Sequence, residues 1–476
     1  MFDARLEWPR IAGILLAAAI ALSLAQSVYR IPIQVSDSLE VILVAKHPTS
    51  SLSLLQQASR WSSTTLRPMR YLQARWLSGI AEATGWSYHM VFRGAHALLA
   101  ISIVALFTWV ANPRRWLDVA ALGFALTVLV GLHTFDAMMR ESFPVNHFAE
   151  IAAATLFVLG TILRPARLLG ETISIALLVG GLLLIESAVL IWVVILAGAV
   201  LHMPGARRRT AVTATVIVML FMAVRSYLEI TGPGIGAHSS GWGAVTLSGD
   251  ELKAAFGDDP WPFFVYNVVG GAFSLIASEP RFGVYQLLAT RESGSLSPVV
   301  IVNLLSSLLV TSAIVICCRA ALRVSPRAWG NDQKALAMGT LVIGVSAALC
   351  ANYIKDDIIS TAGVMYAVMT YIAVRWLLDR VDTTSTMMRV VAVGLFLVIS
   401  ASLWAFRVAG THYDLRRSAF VSRNDWALKD QRTLAGGEAA SRDDISLVMR
   451  LRAEALAQRV TSPSFLPDWG ERYWVE

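Results

Sequence analysis

The chain has 476 residues, of which 56% are hydrophobic and only 15% are charged. A soluble protein of this length needs far more charge to cover its surface, so this composition excludes an ordinary soluble enzyme. The formal charge of +7 comes from Lys and Arg residues that lie mostly between apolar runs. This distribution is typical of membrane topology signals and lipid contact rather than of nucleic-acid binding.

The first apolar run extends from Ile11 to Ala25 and follows Arg5 and Arg10. It is short, and the small residues at Ser23–Ala25 resemble a cleavage site, so a cleaved signal peptide is one interpretation. We favour a retained first transmembrane helix. Either interpretation places the segment that follows on the outer side of the membrane.

Apolar runs close to the roughly 20 residues that cross a bilayer core recur along the chain. Glu186 interrupts the longest, and a carboxylate at the centre of a transmembrane helix costs about 2.5–3.5 kcal/mol. We therefore predict two helices joined by a tight turn at Glu186–Ser187. The expected fold is an all-α polytopic membrane protein with about eleven transmembrane helices. The later runs cover residues 95–111, 117–134, 148–163, 168–184, 188–203, 210–228, 297–318, 335–353, 358–377 and 390–408.

Basic residues fall in alternate short loops between these runs. Because positive charges stay on the cytoplasmic side, we predict a multi-pass protein of the inner (plasma) membrane with a cytoplasmic N-terminus and a non-cytoplasmic C-terminus. The predicted transmembrane domain covers residues 1–408, with outer loops at 32–93 and 229–296, and a short outer tail covers 409–476. The basic loop residues are Arg114, Arg115, Arg164, Arg167, Arg207, Arg208, Arg209, Arg319, Arg323, Arg327, Lys334, Arg375, Arg380 and Arg389.

Two helices are predicted in the outer segments. Leu72, Trp76 and Ile80 recur at helical spacing with arginines on the polar flanks, which predicts an amphipathic helix resting on lipid headgroups. In the tail, Ser441 is a suitable N-cap for a helix near 441–459.

Carboxylates near the ends of the apolar runs gather on the predicted outer side, together with several cations. Such groups could hold an anionic lipid phosphate against cations while a carboxylate activates a hydroxyl. The plainer interpretation of each residue is an interfacial charge that reaches water and solubilises a loop. The carboxylates are Asp37, Glu40, Asp136, Glu141, Glu186, Asp356 and Asp357, and the cations are Arg67, Arg70, Arg140, Arg225 and Lys355.

Four short motifs carry a resemblance to a known family. Ser36–Glu40 is an acidic motif after the first helix, and Thr65–Met69 contains an Arg-Pro-apolar element. Ile185–Leu190 is an acidic hairpin with small residues, and Asn352–Asp357 is a basic late outer loop. Together with the predicted topology, they resemble the C-type (GT-C) integral-membrane glycosyltransferase superfamily, whose members use sugars carried on polyprenyl phosphates. This chain departs from the family pattern in having Asp-x-x-Glu instead of an adjacent acidic pair, and Ile185 where several members carry Lys.

The resemblance implies transfer of a sugar from a polyprenyl-phosphate donor to an acceptor hydroxyl of a glycan, lipid or protein, with inversion at the anomeric carbon. Asp37 would act as the catalytic base, and Glu40 is the other acid of the motif that could serve. Asp37 could instead be a plain N-cap for the helix that follows. The candidate substrate-binding residues are Arg67, Arg70, Glu141, Glu186, Lys355 and Asp356.

No cofactor is expected, and the three cysteines indicate no disulfide framework. His133, His147 and His238 lack paired spacing with other ligands, so no metal site is predicted, although a divalent cation is compatible with the chemistry. The expected partners are membrane lipids, the donor and the acceptor, with no nucleic acid.

The main rival from another class is a transporter or lipid-linked glycan flippase, and the closest enzyme rival is an oligosaccharide polymerase or ligase. Transporters tend to show repeated halves with ionisable groups near the middle of the bilayer. The sequence has no convincing half-repeat, and its charges gather at the outer boundary. These observations favour the glycosyltransferase.

Overall fold

A computed structural model describes residues 8–35, 37–46, 50–53, 67–142, 145–231, 240–242, 245–277, 298–384, 386–437 and 440–460. In these ranges the protein is helical apart from one small sheet, which confirms the predicted all-α class. The first helices are α1 (Trp8–Tyr29), α2 (Asp37–Lys46), α3 (Pro68–Thr84), α4 (Tyr88–Ala111), α5 (Trp116–Gly131), α6 (His133–Arg140), α7 (His147–Ile162), α8 (Leu168–Leu182), α9 (Val189–Val200) and α10 (Arg208–Thr231).

The second half of the chain adds the sheet and the remaining helices. Strand β1 pairs antiparallel with β2 and parallel with β3, so the loop after α10 lies beside the segment that precedes residue 356. The elements are β1 (Ser240–Trp242), β2 (Val245–Leu247), α11 (Gly249–Phe256), α12 (Trp261–Ile276), α13 (Pro298–Leu322), α14 (Asn331–Leu349), β3 (Tyr353–Ile354), α15 (Asp356–Thr384), α16 (Met387–Leu428), α17 (Gln431–Ala435) and α18 (Arg442–Ala457).

Local sequence decides where several helices begin and end. The Ser441 hydroxyl accepts a hydrogen bond from the Asp444 backbone N–H, and the Asp444 carboxylate accepts one from the Ser441 N–H, so the predicted tail helix starts in a capping box. Pro68 occupies the start of α3, where its missing N–H costs nothing, and Gly85 ends that helix at a φ of 72°. The predicted turn between α8 and α9 is confirmed as a 3₁₀ turn at Glu186–Ala188.

The expected number of about eleven spans is not met by the described helices. Six are long and apolar enough to cross a membrane, or up to seven if α5 and α6, which meet at a 62° bend, form one broken span. The predicted runs at 148–163, 168–184 and 188–203 fold as shorter apolar helices, because loop and turn residues take up their ends. The run at 335–353 falls in α14, which is not one of the six candidate spans. The first turn of α14 is the polar segment Asn331–Lys334.

Helix α15 lies at the centre of the bundle, since 94% of its apolar window is buried. It packs against α5, α6, α7 and α14. Helix α1 packs against α4 and α5 at the periphery. Chain segments that emerge from the bundle therefore meet around the two ends of α15.

Contacts between loops define these two ends. At one, which we call the arginine-rich end, Arg115 pairs with Asp379, the Gly205 N–H donates to Ile162 O, and Lys334 donates to His202 O. At the other, which we call the loop end, Gln34 bonds Arg140 O and Lys355 bonds Glu141. The basic residues of the predicted inner loops thus gather at one end of the bundle.

The first predicted outer loop and the tail fold together at the loop end. The Trp426 indole N–H donates to Ile33 O over 2.6 Å, and the ring is fully buried. Helix α16 continues unbroken through residue 408, where the predicted transmembrane domain stops. The shared core, which we call the loop-end core, contains Ile33, Leu39, Ile42, Ala81, Tyr88, Val91, Phe92, Trp426, Ala435, Leu447, Val448, Leu451 and Ala455.

Candidate functional site

The loop end carries a group of facing charges from two distant parts of the chain. Lys355 Nζ lies 3.2 Å from Glu141 Oε2 and 3.0 Å from Asp357 Oδ2. His133 Nε2 lies 3.5 Å from Asp356 Oδ1 and 2.9 Å from the Ser274 hydroxyl. We call these five residues and Ser274 the Glu141 cluster. The cluster brings three carboxylates together with one lysine and one histidine.

Segments from three elements build this cluster. Glu141 follows α6, Asp356 and Asp357 open α15, and the bend between α5 and α6 places His133 beside them. The preceding segment is held because the Asn267 side chain on α12 donates to Ala351 O over 2.9 Å. The acidic positions therefore rest on several helix ends rather than on one loop.

Burial and mutual charge shape the protonation of the Glu141 cluster. Burial and the negative charge of Asp357 raise the pKa of Glu141 above its usual range, although Lys355 opposes the shift. Burial alone would lower the pKa of Lys355, but Asp357 and Glu141 raise it, so Lys355 stays charged. A carboxylate with a raised pKa beside a fixed cation is the kind of group that can accept a proton during a reaction.

Helix α2, which carries the predicted acidic motif, docks beside this cluster. The Ser38 hydroxyl donates to Ser142 O and contacts the Ser142 hydroxyl at 3.1 Å, and the Ser142 N–H donates to the Gln34 side chain at 3.1 Å. Glu40 is exposed on this helix. The helix begins at Asp37, whose side chain lies outside the described residues, so its predicted role as base or N-cap stays a prediction.

A second cluster joins the start of α3 to the turn between α8 and α9. Arg67 donates to both oxygens of Glu186, with Nη2–Oε2 at 2.6 Å and Nε–Oε1 at 3.3 Å. Arg225 Nη1 on α10 lies 2.7 Å from Glu186 Oε1. We call these three residues the Glu186 cluster. Two guanidinium groups therefore meet at the Glu186 carboxylate.

The segment after α6 and the start of α7 link the two clusters. The Asn146 side chain donates to Glu141 O over 3.0 Å, and His147 Nδ1 lies 3.4 Å from Glu150 Oε2. Gln73 on α3 bonds the other oxygen of Glu150, and the positive charges of Arg70 and Arg67 reach His147. Polar contacts therefore extend from the Glu141 cluster to α3, whose start lies at the Glu186 cluster.

The structure brings most of the predicted site residues together, but in two groups. Glu141, Lys355 and Asp356 meet in the Glu141 cluster, whereas Arg67 and Glu186 belong to the Glu186 cluster. Arg70 lies on α3, where its charge reaches the link between them. Glu40 makes no bond to either cluster in the part of the chain that is described.

Three residues of the two clusters are absent from the site predicted from the sequence. The sequence analysis places Arg225 among the outer cations but not in the site, and it considers His133 only as a metal ligand. The predicted site includes Asp356 but not Asp357, although Asp357 is the carboxylate that contacts Lys355. The one sequence signal for Asp357 is the adjacent pair of acidic residues that directly follows Lys355.

The described part of the chain contains no group of three or more His, Cys, Asp or Glu side chains placed to hold a metal ion. The three cysteines are free thiols. No family model, no curated protein and no solved structure matches this chain. Its function is therefore argued from the residues of the two clusters and their place in a helical membrane protein.

Proposed function

We propose that this protein is a membrane glycosyltransferase that transfers a sugar from a polyprenyl-phosphate donor to an acceptor hydroxyl at the loop end. The observation that carries the proposal is the Glu186 cluster, in which Arg67 and Arg225 converge on one carboxylate. Guanidinium groups bind phosphate through paired hydrogen bonds. Two guanidinium groups that converge at one place suit a lipid phosphate.

Helix α3 supports a lipid-borne donor. Leu72 is buried against the protein, whereas the indole of Trp76 is 54% exposed and Ile80 is 44% exposed. Exposed aromatic and aliphatic side chains beside arginines are typical of a helix at the membrane interface. A donor anchored in the bilayer would then present its phosphate to Arg67, which directly precedes α3.

Helix α2 and the neighbouring Glu141 cluster supply carboxylates for the other half of the reaction. In a single displacement, the acceptor oxygen forms a bond to the anomeric carbon as the bond from that carbon to the phosphate oxygen breaks. The hydroxyl proton passes to a carboxylate, and the phosphate leaves with the electron pair. We assign the base to Asp37 or Glu40 on α2, with Glu141 as the neighbouring acid whose pKa is raised.

Lys355 takes a different role from the one expected of it. Lys355 lies between Glu141 and Asp357, so its charge is balanced within the Glu141 cluster. We therefore assign donor phosphate binding to Arg67, Arg70 and Arg225. Lys355 holds the ends of α6 and α15 together.

In this proposal the loop end faces the outside of the inner membrane, and the arginine-rich end faces the cytoplasm. The positive-inside rule supports this orientation. The donor lipid and a more water-soluble acceptor can meet at that outer boundary.

The direct test follows sugar release from a polyprenyl-phosphate donor by the purified full chain. Arg67→Ala and Arg225→Ala should each lower the use of donor by roughly ten- to a hundred-fold, because each removes a charge-assisted hydrogen bond. Arg442→Ala is the matched control, since Arg442 is exposed on the tail helix. Unchanged donor kinetics in both site variants would remove the arginines from the site.

A transporter or flippase is the second candidate, and buried cations favour it. The guanidinium of Arg407 is buried in the bundle, with Nη1 3.0 Å from the hydroxyls of Ser306 and Ser307. Ionisable groups inside a membrane bundle and a broken helix such as α5–α6 are features of transport pathways. Movement of a labelled lipid across liposomes without sugar release would favour this candidate.

A further inference from the structure

The arginine-rich end contains an arginine that backbone carbonyls and an aromatic ring hold in place, with no carboxylate partner among the described residues. The Arg164 guanidinium stacks over the Trp109 ring, 4.0 Å from its centroid. Its Nη1 donates to Gly160 O over 2.6 Å, and its Nη2 donates to Trp109 O. Carbonyl oxygens satisfy these donors and orient the group, but they do not neutralise its charge.

Two more arginines lie close to Arg164. Burial, together with the positive charges of Arg10 and Arg114, lowers the pKa of Arg164. Among the described residues, no carboxylate pairs with the side chain of any of these three. Arg115 and Arg375, at the same end, are instead paired with Asp379 and Asp332. Unbalanced positive charge is therefore concentrated at one place.

An apolar groove leads away from these arginines along the bundle. A cavity of about 300 Å³ lies between α1 and α4, and its lining includes Arg10, Trp109 and Asn112. Arg114 and Arg164 line an adjoining cavity that shares Asn112. Small and branched side chains form the apolar part of the groove, namely Ile14, Ala17, Ala18, Ala21, Ile101 and Ala105.

We propose that this groove binds one anionic phospholipid, with its phosphate against Arg10, Arg114 and Arg164 and an acyl chain between α1 and α4. Basic pockets between membrane helices complement anionic headgroups, and each cation near the surface strengthens the attraction. A zwitterionic lipid carries no net charge, so it gains less from three unpaired arginines. The site lies at the opposite end from the two clusters and does not depend on the proposed function.

The occupant would also hold α1 in place. Helix α1 exposes Ile14 and Leu15 at the edge of the bundle, and a lipid chain beside Ile14 adds contacts that the protein lacks there. A ligand that binds only the folded state stabilises it by mass action. Anionic lipid should therefore raise the melting temperature of the purified chain.

The test measures lipid binding by native mass spectrometry and melting temperature for the full chain in neutral detergent, with phosphatidylglycerol or phosphatidylcholine added. The wild-type chain should retain one phosphatidylglycerol and melt higher with it than with phosphatidylcholine. The double substitution Arg10→Gln with Arg114→Gln should weaken phosphatidylglycerol binding roughly ten- to a hundred-fold. Both side chains are exposed, so the variant is expected to fold.

The matched control is Arg323→Gln with Arg327→Gln, which removes two exposed arginines from the same end but outside the groove. It should leave binding unchanged, whereas an equal loss would show diffuse surface attraction and overturn the site. Ala105→Phe fills the groove without changing charge and should also abolish the bound lipid. Full binding by that variant, equal binding of phosphatidylcholine, or displacement of the lipid by inorganic phosphate alone would each overturn the proposal.

Discussion

Lys355 illustrates how a partner limits what a charged side chain can do. From the sequence it was a free cation in an outer loop, suited to a phosphate. Its contacts at 3.2 Å to Glu141 and 3.0 Å to Asp357 commit its charge to the protein. Arg67 and Arg225 instead converge on Glu186, and two adjacent guanidinium groups suit a phosphate.

The catalytic base is tested at Asp37. Asp37→Asn keeps the shape and much of the helix-capping capacity but removes the proton acceptor. If Asp37 is the base, expression and donor binding should persist while turnover falls by roughly 10²–10⁴-fold. The measurement is sugar transfer at saturating donor.

Glu40→Gln is the necessary comparison, because either acid of the motif could serve. A fully active Asp37→Asn enzyme beside an inactive Glu40→Gln enzyme would move the base to Glu40. Full activity in both would end the assignment of the base to α2.

The raised pKa of Glu141 predicts a pH-dependent stability. A carboxyl whose folded pKa exceeds its unfolded value stabilises the fold at low pH, and this contribution is lost as pH rises from about 4.3 through the folded pKa. Glu141→Gln removes that titration. The melting temperature of the variant should therefore improve relative to wild type as pH rises from about 4 to 7.

Glu40→Gln serves again as a control for this titration, because Glu40 is exposed on α2. Its melting temperature should follow that of the wild type across the same pH range. A Glu141→Gln curve parallel to the wild-type curve would contradict the prediction.

At the scale of elements, α16 connects the bundle to the loop-end core. It runs from Met387 to Leu428, and its last turns bury Trp426 against the first outer segment. Helix α18 closes the same core with Leu447 and Leu451. Because α2 also contributes Leu39 to this core, the tail helps to hold the acidic motif beside Ser142.

Trp426→Ala should destabilise this core by about 3–5 kcal/mol, the usual cost of truncating a buried Trp. Trp426→Phe keeps most of the ring and loses the hydrogen bond to Ile33 O, so it should cost less. Limited proteolysis of the tail and thermal unfolding report both effects.

Trp261→Ala is the control for this pair, since Trp261 is 57% exposed on α12. Equal protease sensitivity in Trp426→Ala and Trp261→Ala would contradict a structural role for the loop-end core.

At the scale of the whole molecule, the two ends of the bundle differ in charge and in chain content. One end gathers the arginines of the short loops, and the other gathers α2, α3, the sheet and the tail. This difference is what the positive-inside rule requires of a protein with one fixed orientation. It also separates the proposed lipid site from the two clusters.

Orientation is tested by reporter fusions after Leu54, Arg208 and Gly436. They should report outside, inside and outside, because the positive-inside rule predicts that the basic loops lie in the cytoplasm. Fusion after Arg208 joins a loop at the arginine-rich end, whereas Gly436 follows α17 at the loop end. An inside signal after Leu54 would overturn the assignment of the base and the donor site.

Local sequence patterns are enough to predict the helical membrane class and several helix boundaries. Apolar runs predicted helices, Glu186 predicted the turn after α8, and Ser441 predicted the start of the tail helix. Each of these depends on residues within a few positions of one another, where backbone hydrogen bonding and the cost of burying charge are local effects.

The span lengths, the bend between α5 and α6, and the pairing of charges depend instead on how distant segments pack. Glu141 and Lys355 are 214 positions apart, and Arg67 and Glu186 are 119 positions apart. No local pattern specifies such pairs, because they form where helices of particular length and direction bring loop ends together. The energy of each charge then depends on the burial and the partners that this packing creates.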